Sequence, residues 1–176
     1  MAMQHSIVAV VAILGVASLA ASATACTDPV KDHAIERLGP ERGGVAEGPE
    51  HRPGQPCVLC HSDGGPASKH KFAIGGTVFE TAKADKGAAN VGVYFKDNDN
   101  VQRQVLTNGA GNFYVREEEW PDLTFPFKTG VKRGPGLPVL MQSTINREGS
   151  CNVCHQLPGG DSRESIGPIF APAGGT

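Results

Sequence analysis

An excess of charge of either sign is missing from this chain. Its 176 residues carry 16 Lys plus Arg against 18 Asp plus Glu, a net charge of -2 with a pI near 6.3. Without a basic field to gather phosphates, nucleic acid is not an expected partner. No Ser-His-Asp arrangement, H-E-x-x-H pair or phosphate-binding glycine loop is present, so the sequence supports no catalytic activity. A long hydrophobic run is missing too. The apolar stretch Ile7 to Leu19, "IVAVVAILGVASL", falls short of the ~20 residues that a spanning helix needs.

That short run, followed by small residues up to Ala23-Thr24-Ala25, has the layout of a secretory signal over residues 1–25, although its leading "MAMQHS" has no Lys or Arg. The expected location is therefore outside the cytoplasm: periplasmic, or on the outer membrane or cell surface. Cysteine is sparse at five residues, and four of them fall into two identical patterns. The fifth, Cys26, stands directly after the cleavage pattern, the position lipidated in bacterial lipoproteins, where a lipid would tether the protein to a membrane. Ala23 stands where such signals usually have Leu. Ordinary cleavage leaving a free or intermolecularly paired thiol is the alternative.

Residues 26–56 read as a tether or loop holding one short helix. In "DPVKDHAIERLG", Asp28 caps, Pro29 takes the first helical position, and Val30, Ala34 and Leu38 share a face before Gly39 stops the turn. "GPERGGVAEGPEHRPGQP" cannot bury enough apolar surface to order itself, so it lies on something else or remains a tether. From 72 to 146 the pattern changes to short strands. "VGVYFK" alternates, with Val91, Val93 and Phe95 on one face and Tyr94 and Lys96 on the other. "GGTVFE", "VQRQVLT" and "NFYV" are further strands, and the turn "DNDN" with the corner "NGAG" suggests a three-stranded meander. "LTFPFKTGV" and "LPVLMQS" follow, their Pro126 and Pro138 suiting edges or bends. The expected fold is mainly β: a small antiparallel prealbumin/Ig-like β-sandwich with a short N-terminal helix and C-x-x-C-H segments carried on loops.

The stretch from Gly75 to Val115 resembles a carboxypeptidase regulatory-like domain, a prealbumin-like sandwich. The matching residues are Gly76 and Val78, Gly92 to Phe95, Asp97, and then Thr107, Gly111 and Phe113. The resemblance implies a structural or adhesive module in an exported protein and no catalysis.

Two segments flank that module: "CVLCH" at 57–61, within residues 57–71, and "CNVCH" at 151–155, within the C-terminal residues 147–176. Two cysteines separated by two residues and followed by His are what covalent haem attachment requires. The thiols add across two vinyl groups, and the His beneath the iron is its proximal ligand. Both segments resemble the attachment motif of c-type cytochromes. That resemblance implies two haems on Cys57, Cys60, Cys151 and Cys154, with iron bound by His61 and His155. For the opposite axial position the candidates are His51 and His70 at the first motif and Met141 at the second. The expected function is one-electron transfer with redox partner proteins. The alternative is an extracytoplasmic structural or binding sandwich whose C-x-x-C pairs form disulfides, thiol redox pairs or a four-cysteine zinc site, a use that leaves both histidines unexplained.

Overall fold

The computed structural model describes residues 28–41, 47–158 and 165–173. The expected signal and Cys26 lie outside the described residues. Helix α1 (Pro29–Arg37) begins as its sequence requires, with Asp28 Oδ1 accepting from the amides of Val30 and Lys31. None of its residues is buried.

Among the described residues seven strands follow: β1 (Phe72–Phe79), β2 (Gly92–Lys96), β3 (Gln102–Leu106), β4 (Asn112–Arg116), β5 (Lys128–Lys132), β6 (Val139–Leu140) and β7 (Ile169–Phe170). They form a three-stranded sheet in the order β4-β1-β7 and a four-stranded sheet in the order β3-β2-β5-β6. The protein is a mainly β, small sandwich. Inward residues of both sheets make one core, in which Phe95 meets Phe113 and Phe127 at ring-centroid distances of 6.1 Å each. The alternation of β2 holds as expected, with Val91, Val93 and Phe95 buried and Lys96 exposed.

The expected meander does not form. β2 and β3 make a hairpin, but β4 leaves for the other sheet and pairs antiparallel with β1, Gly76 opposite Phe113. The corner at Gly111 makes this crossing possible. Its φ is +81, and a Cβ there would collide with the Val78 carbonyl oxygen, so the chain passes too close for any side chain. The crossing turns Phe113 and Val115 inward, where they are 2% and 3% exposed. The other unexpected element is β7, which runs parallel to β1 with Val78 opposite Ile169.

Segment 47–56 lies on the first sheet as a strap. Asn112 of β4 donates from Nδ2 to the carbonyls of Pro49 and His51, at 3.2 and 2.9 Å. Thr77 of β1 accepts from the Gly54 amide at 2.8 Å and donates to Asn112 Oδ1 at 2.8 Å. Polar loop backbone is thereby satisfied by two buried side chains.

Candidate functional site

Both C-x-x-C-H segments lie outside the sheets, and each folds locally as a single helical turn. The first is helix α2 (Cys57–Cys60), and the second is a 3-10 turn over Cys151–Val153. The reason is local. In each, the histidine amide donates to the carbonyl of the first cysteine, His61 to Cys57 at 3.0 Å and His155 to Cys151 at 2.9 Å. The second cysteine's carbonyl is then claimed by a downstream amide, Cys60 by Ala67 at 3.1 Å and Cys154 by Ile166 at 3.2 Å.

The imidazoles repeat this parallel. His61 Nδ1 lies 2.7 Å from the His70 carbonyl oxygen, and His155 Nδ1 lies 2.9 Å from that of Gly167. A carbonyl can only accept, so Nδ1 carries the proton in both rings and Nε2 presents a lone pair. This is the arrangement by which a metal-ligating histidine is held in one tautomer. His61 is buried, with its ring stacked on Phe72 at 3.9 Å, and Phe72 stacked in turn on Tyr114 at 4.5 Å. Burial lowers the His61 pKa below its ordinary 6.5, against the raising effect of the His70 carbonyl, and so favours the neutral ring.

Strand β1 brings the two motifs together. A Cβ on Gly75 would come within 2.8 Å of Cys57 Cβ, and one on Gly76 within 2.8 Å of Cys151 Cβ. Neighbouring glycines point to opposite faces of a strand, so each first cysteine seats against the bare backbone on its own side. In the sequence Gly75 and Gly76 show only as the start of the strand "GGTVFE", and this seating is the feature that sequence reasoning missed.

Burial raises the Cys57 pKa to about 11 and that of Cys151 to about 12, the Cys57 charge adding to the latter. Cys60 is also raised by burial, with Arg52 and Lys31 opposing. All four motif cysteines are free thiols.

The second motif opens on a groove of about 560 Å³ between the β6 and β7 edges of the two sheets. Cys151, Cys154, His155 and Met141 line it, with Phe113 at its floor. Its rim residues Leu140 and Phe170 are 62% and 52% exposed. The sequence candidate Met141 therefore shares a cleft with His155. At the first motif, His51 is brought to 5.8 Å from His61 between ring centroids. His70 contributes its carbonyl, while as a residue it is exposed. A second, larger cleft of about 1010 Å³ lies between α1 and the outer faces of both motif turns and is lined by none of the motif cysteines or histidines.

Structural zinc needs four protein ligands, and among the described residues no group of three or more His, Cys, Asp or Glu converges to hold a metal. Haem brings four nitrogens of its own and asks the protein for one or two axial donors, two thiols and an apolar wall. The groove at the second motif, within the 300–1,000 Å³ range of ordinary small-molecule pockets, supplies these together. No protein-family model, curated protein or solved structure matches this chain.

Proposed function

We propose that the protein is an exported, lipid-tethered dihaem c-type cytochrome-like electron carrier and not an enzyme. The observation that carries the reading is the repeated Nδ1-to-carbonyl bond, which in both motifs leaves the Nε2 lone pair of His61 and His155 for a metal. Cys57, Cys60, Cys151 and Cys154 would hold the two groups by thioether bonds. Bound haem iron would supply a one-electron couple. The chain's own residues do the rest. The His70 and Gly167 carbonyls orient the imidazoles, and Phe72 covers the side of one ring. Phe113 and Leu140 offer an apolar wall at the second site.

The sandwich, resembling a carboxypeptidase regulatory-like domain, serves as the frame. Because Cys57 and Cys151 seat against adjacent glycines of β1, the two sites share one wall, which favours a two-site relay between redox partner proteins. Against a redox pair in which Cys57 or Cys151 attacks stand their raised pKa values, since attacking thiols in such pairs have lowered ones. A zinc or disulfide staple also gives the paired histidine bonds no purpose.

The test is expression of the whole chain in a host with a haem-attachment system, followed by a denaturing gel stained for covalent haem. Stain that falls by about half in Cys60→Ser or in Cys154→Ser, and vanishes in the double variant, is expected. A colourless wild-type band carrying zinc or blocked thiols would overturn the reading.

A further inference from the structure

We propose that His51 is the axial ligand opposite His61, so that the first site is closed by two imidazoles while the second is not. The assignment rests on the dihaem reading and names the residue that completes one of its sites. The ring centroids of His51 and His61 lie 5.8 Å apart with planes tilted by 32°. Two imidazoles bound on opposite sides of one metal at about 2.0–2.1 Å set their centroids on the order of 6 Å apart, so the pair already has the required spacing. Buried His51 Nδ1 has no hydrogen-bond partner among the described residues, and it stands 3.7 Å from Glu41 Oε1. A carboxylate beside one ring nitrogen is the usual outer-shell companion of an imidazole whose other nitrogen binds a metal.

The backbone around His51 is fixed by the fold. Its carbonyl accepts from buried Asn112, and its neighbour Arg52 has a φ of +48 while binding Glu41 at 3.1 Å and the Gly39 carbonyl at 3.0 Å. The ring is therefore held at its distance from His61 by β1 and β4 through Thr77 and Asn112, which are positioning residues. His70 does not compete, since its carbonyl already holds His61 Nδ1 and the residue is exposed. Met141 is committed to the other cleft, with His155. The two sites consequently differ in what faces their histidine: a fixed imidazole at one, a thioether at the wall of an open apolar groove at the other.

The test uses the purified, haem-loaded full chain and its His51→Ala and His70→Ala variants. Covalent haem content comes from the gel stain, spin state from electron paramagnetic resonance, and open coordination from carbon monoxide titration of the reduced protein. His51→Ala keeps the backbone carbonyl that Asn112 holds. It is expected to retain both covalent haems, gain one equivalent of high-spin iron and of carbon monoxide binding over wild type, and lose both gains when imidazole is added. Imidazole rescue separates a missing ligand from a misfolded chain. His70→Ala is expected to match wild type. Unchanged spin state and carbon monoxide binding in His51→Ala, or the same gain in His70→Ala, overturns the assignment alone. A wild type without covalent haem overturns the dihaem reading and the assignment with it.

Discussion

Asn112 joins the strap to the sandwich, and removing its side chain tests whether the first motif depends on that join. Asn112→Ala deletes the 2.9 and 3.2 Å bonds to the His51 and Pro49 carbonyls and the 2.8 Å bond from Thr77 Oγ1. At about 1 kcal/mol net for each bond the loss is about 3 kcal/mol. The 3.2 Å bond is the weakest of the three, and the freed strap carbonyls can turn to water, so about 2 kcal/mol is the lower bound. For a chain of this size each kcal/mol moves the midpoint by about 2–4 °C, and a fall of ~4–12 °C is expected in thermal unfolding. Thr77→Val, close in shape, breaks the bonds to Gly54 and Asn112 and should cost about 1–3 kcal/mol. Because the two residues share one hydrogen bond, the double variant should lose about 1 kcal/mol less than the sum. Hydrogen exchange gives a local readout, since the Gly54 amide loses its acceptor in Thr77→Val and should exchange faster than in wild type. Strict additivity, or an Asn112→Ala midpoint within 1 °C of wild type, would refute the claim that these side chains carry the strap.

Other expectations follow from the same geometry. When the protein is made without haem attachment, the Cys57 and Cys151 pKa values are raised, so the stability they contribute is complete below the ordinary thiol value of 9.0. It is lost as pH rises towards about 11 and about 12, and urea titrations across that window should show stability falling. The covalently loaded protein, whose cysteines are thioethers, should show no such fall. His61 has the opposite sign: with its pKa lowered by burial, the stability it contributes is present above the ordinary 6.5 and lost as pH falls through the folded value, which an acid titration of His61→Phe against wild type would detect. In loaded protein, Met141→Ala should lower the reduction potential of one haem or open it to carbon monoxide, and a titration unchanged from wild type would remove Met141 from the second site. Phe127, fully buried beside Phe95, should cost about 3–5 kcal/mol as Ala by urea unfolding.

Features that depend on neighbours in sequence are the ones that could be read directly from it. Strand β2 alternates, so its buried face is written in Val91, Val93 and Phe95; Asp28 and Pro29 announce a helix start through backbone bonds within three residues. The two motifs are likewise local, each turn closing on a histidine amide four residues after its first cysteine. Strand partnership is different, because β4 can satisfy its hydrogen bonds against either sheet and the choice is made by where Phe113 and Val115 find apolar neighbours. β7 was unreadable for a related reason. Two residues are too few to show a period, and Ile169 becomes a strand residue only because Val78 lies beside it.

The site's organising element was hidden more deeply, because it consists of absent atoms. Gly75 and Gly76 seat Cys57 and Cys151 by having no Cβ, and the same pair is read equally well as a weak point in a strand. Substitution separates the two meanings. A strand alanine gains about 0.5–1 kcal/mol in backbone entropy over glycine, whereas forcing a methyl into a packed site costs about 1–3 kcal/mol. At 2.8 Å from a cysteine Cβ, inside any ordinary carbon contact, the steric cost should win at both positions. Gly75→Ala would then weaken haem loading at the first motif and Gly76→Ala at the second, where the methyl also meets the Phe113 ring at 2.8 Å. Loading can be read site by site from haem-stained peptides after proteolysis. If both variants load normally and unfold at or above the wild-type midpoint, β1 is only a bystander between two independent motifs, and the shared wall that favours a relay is lost.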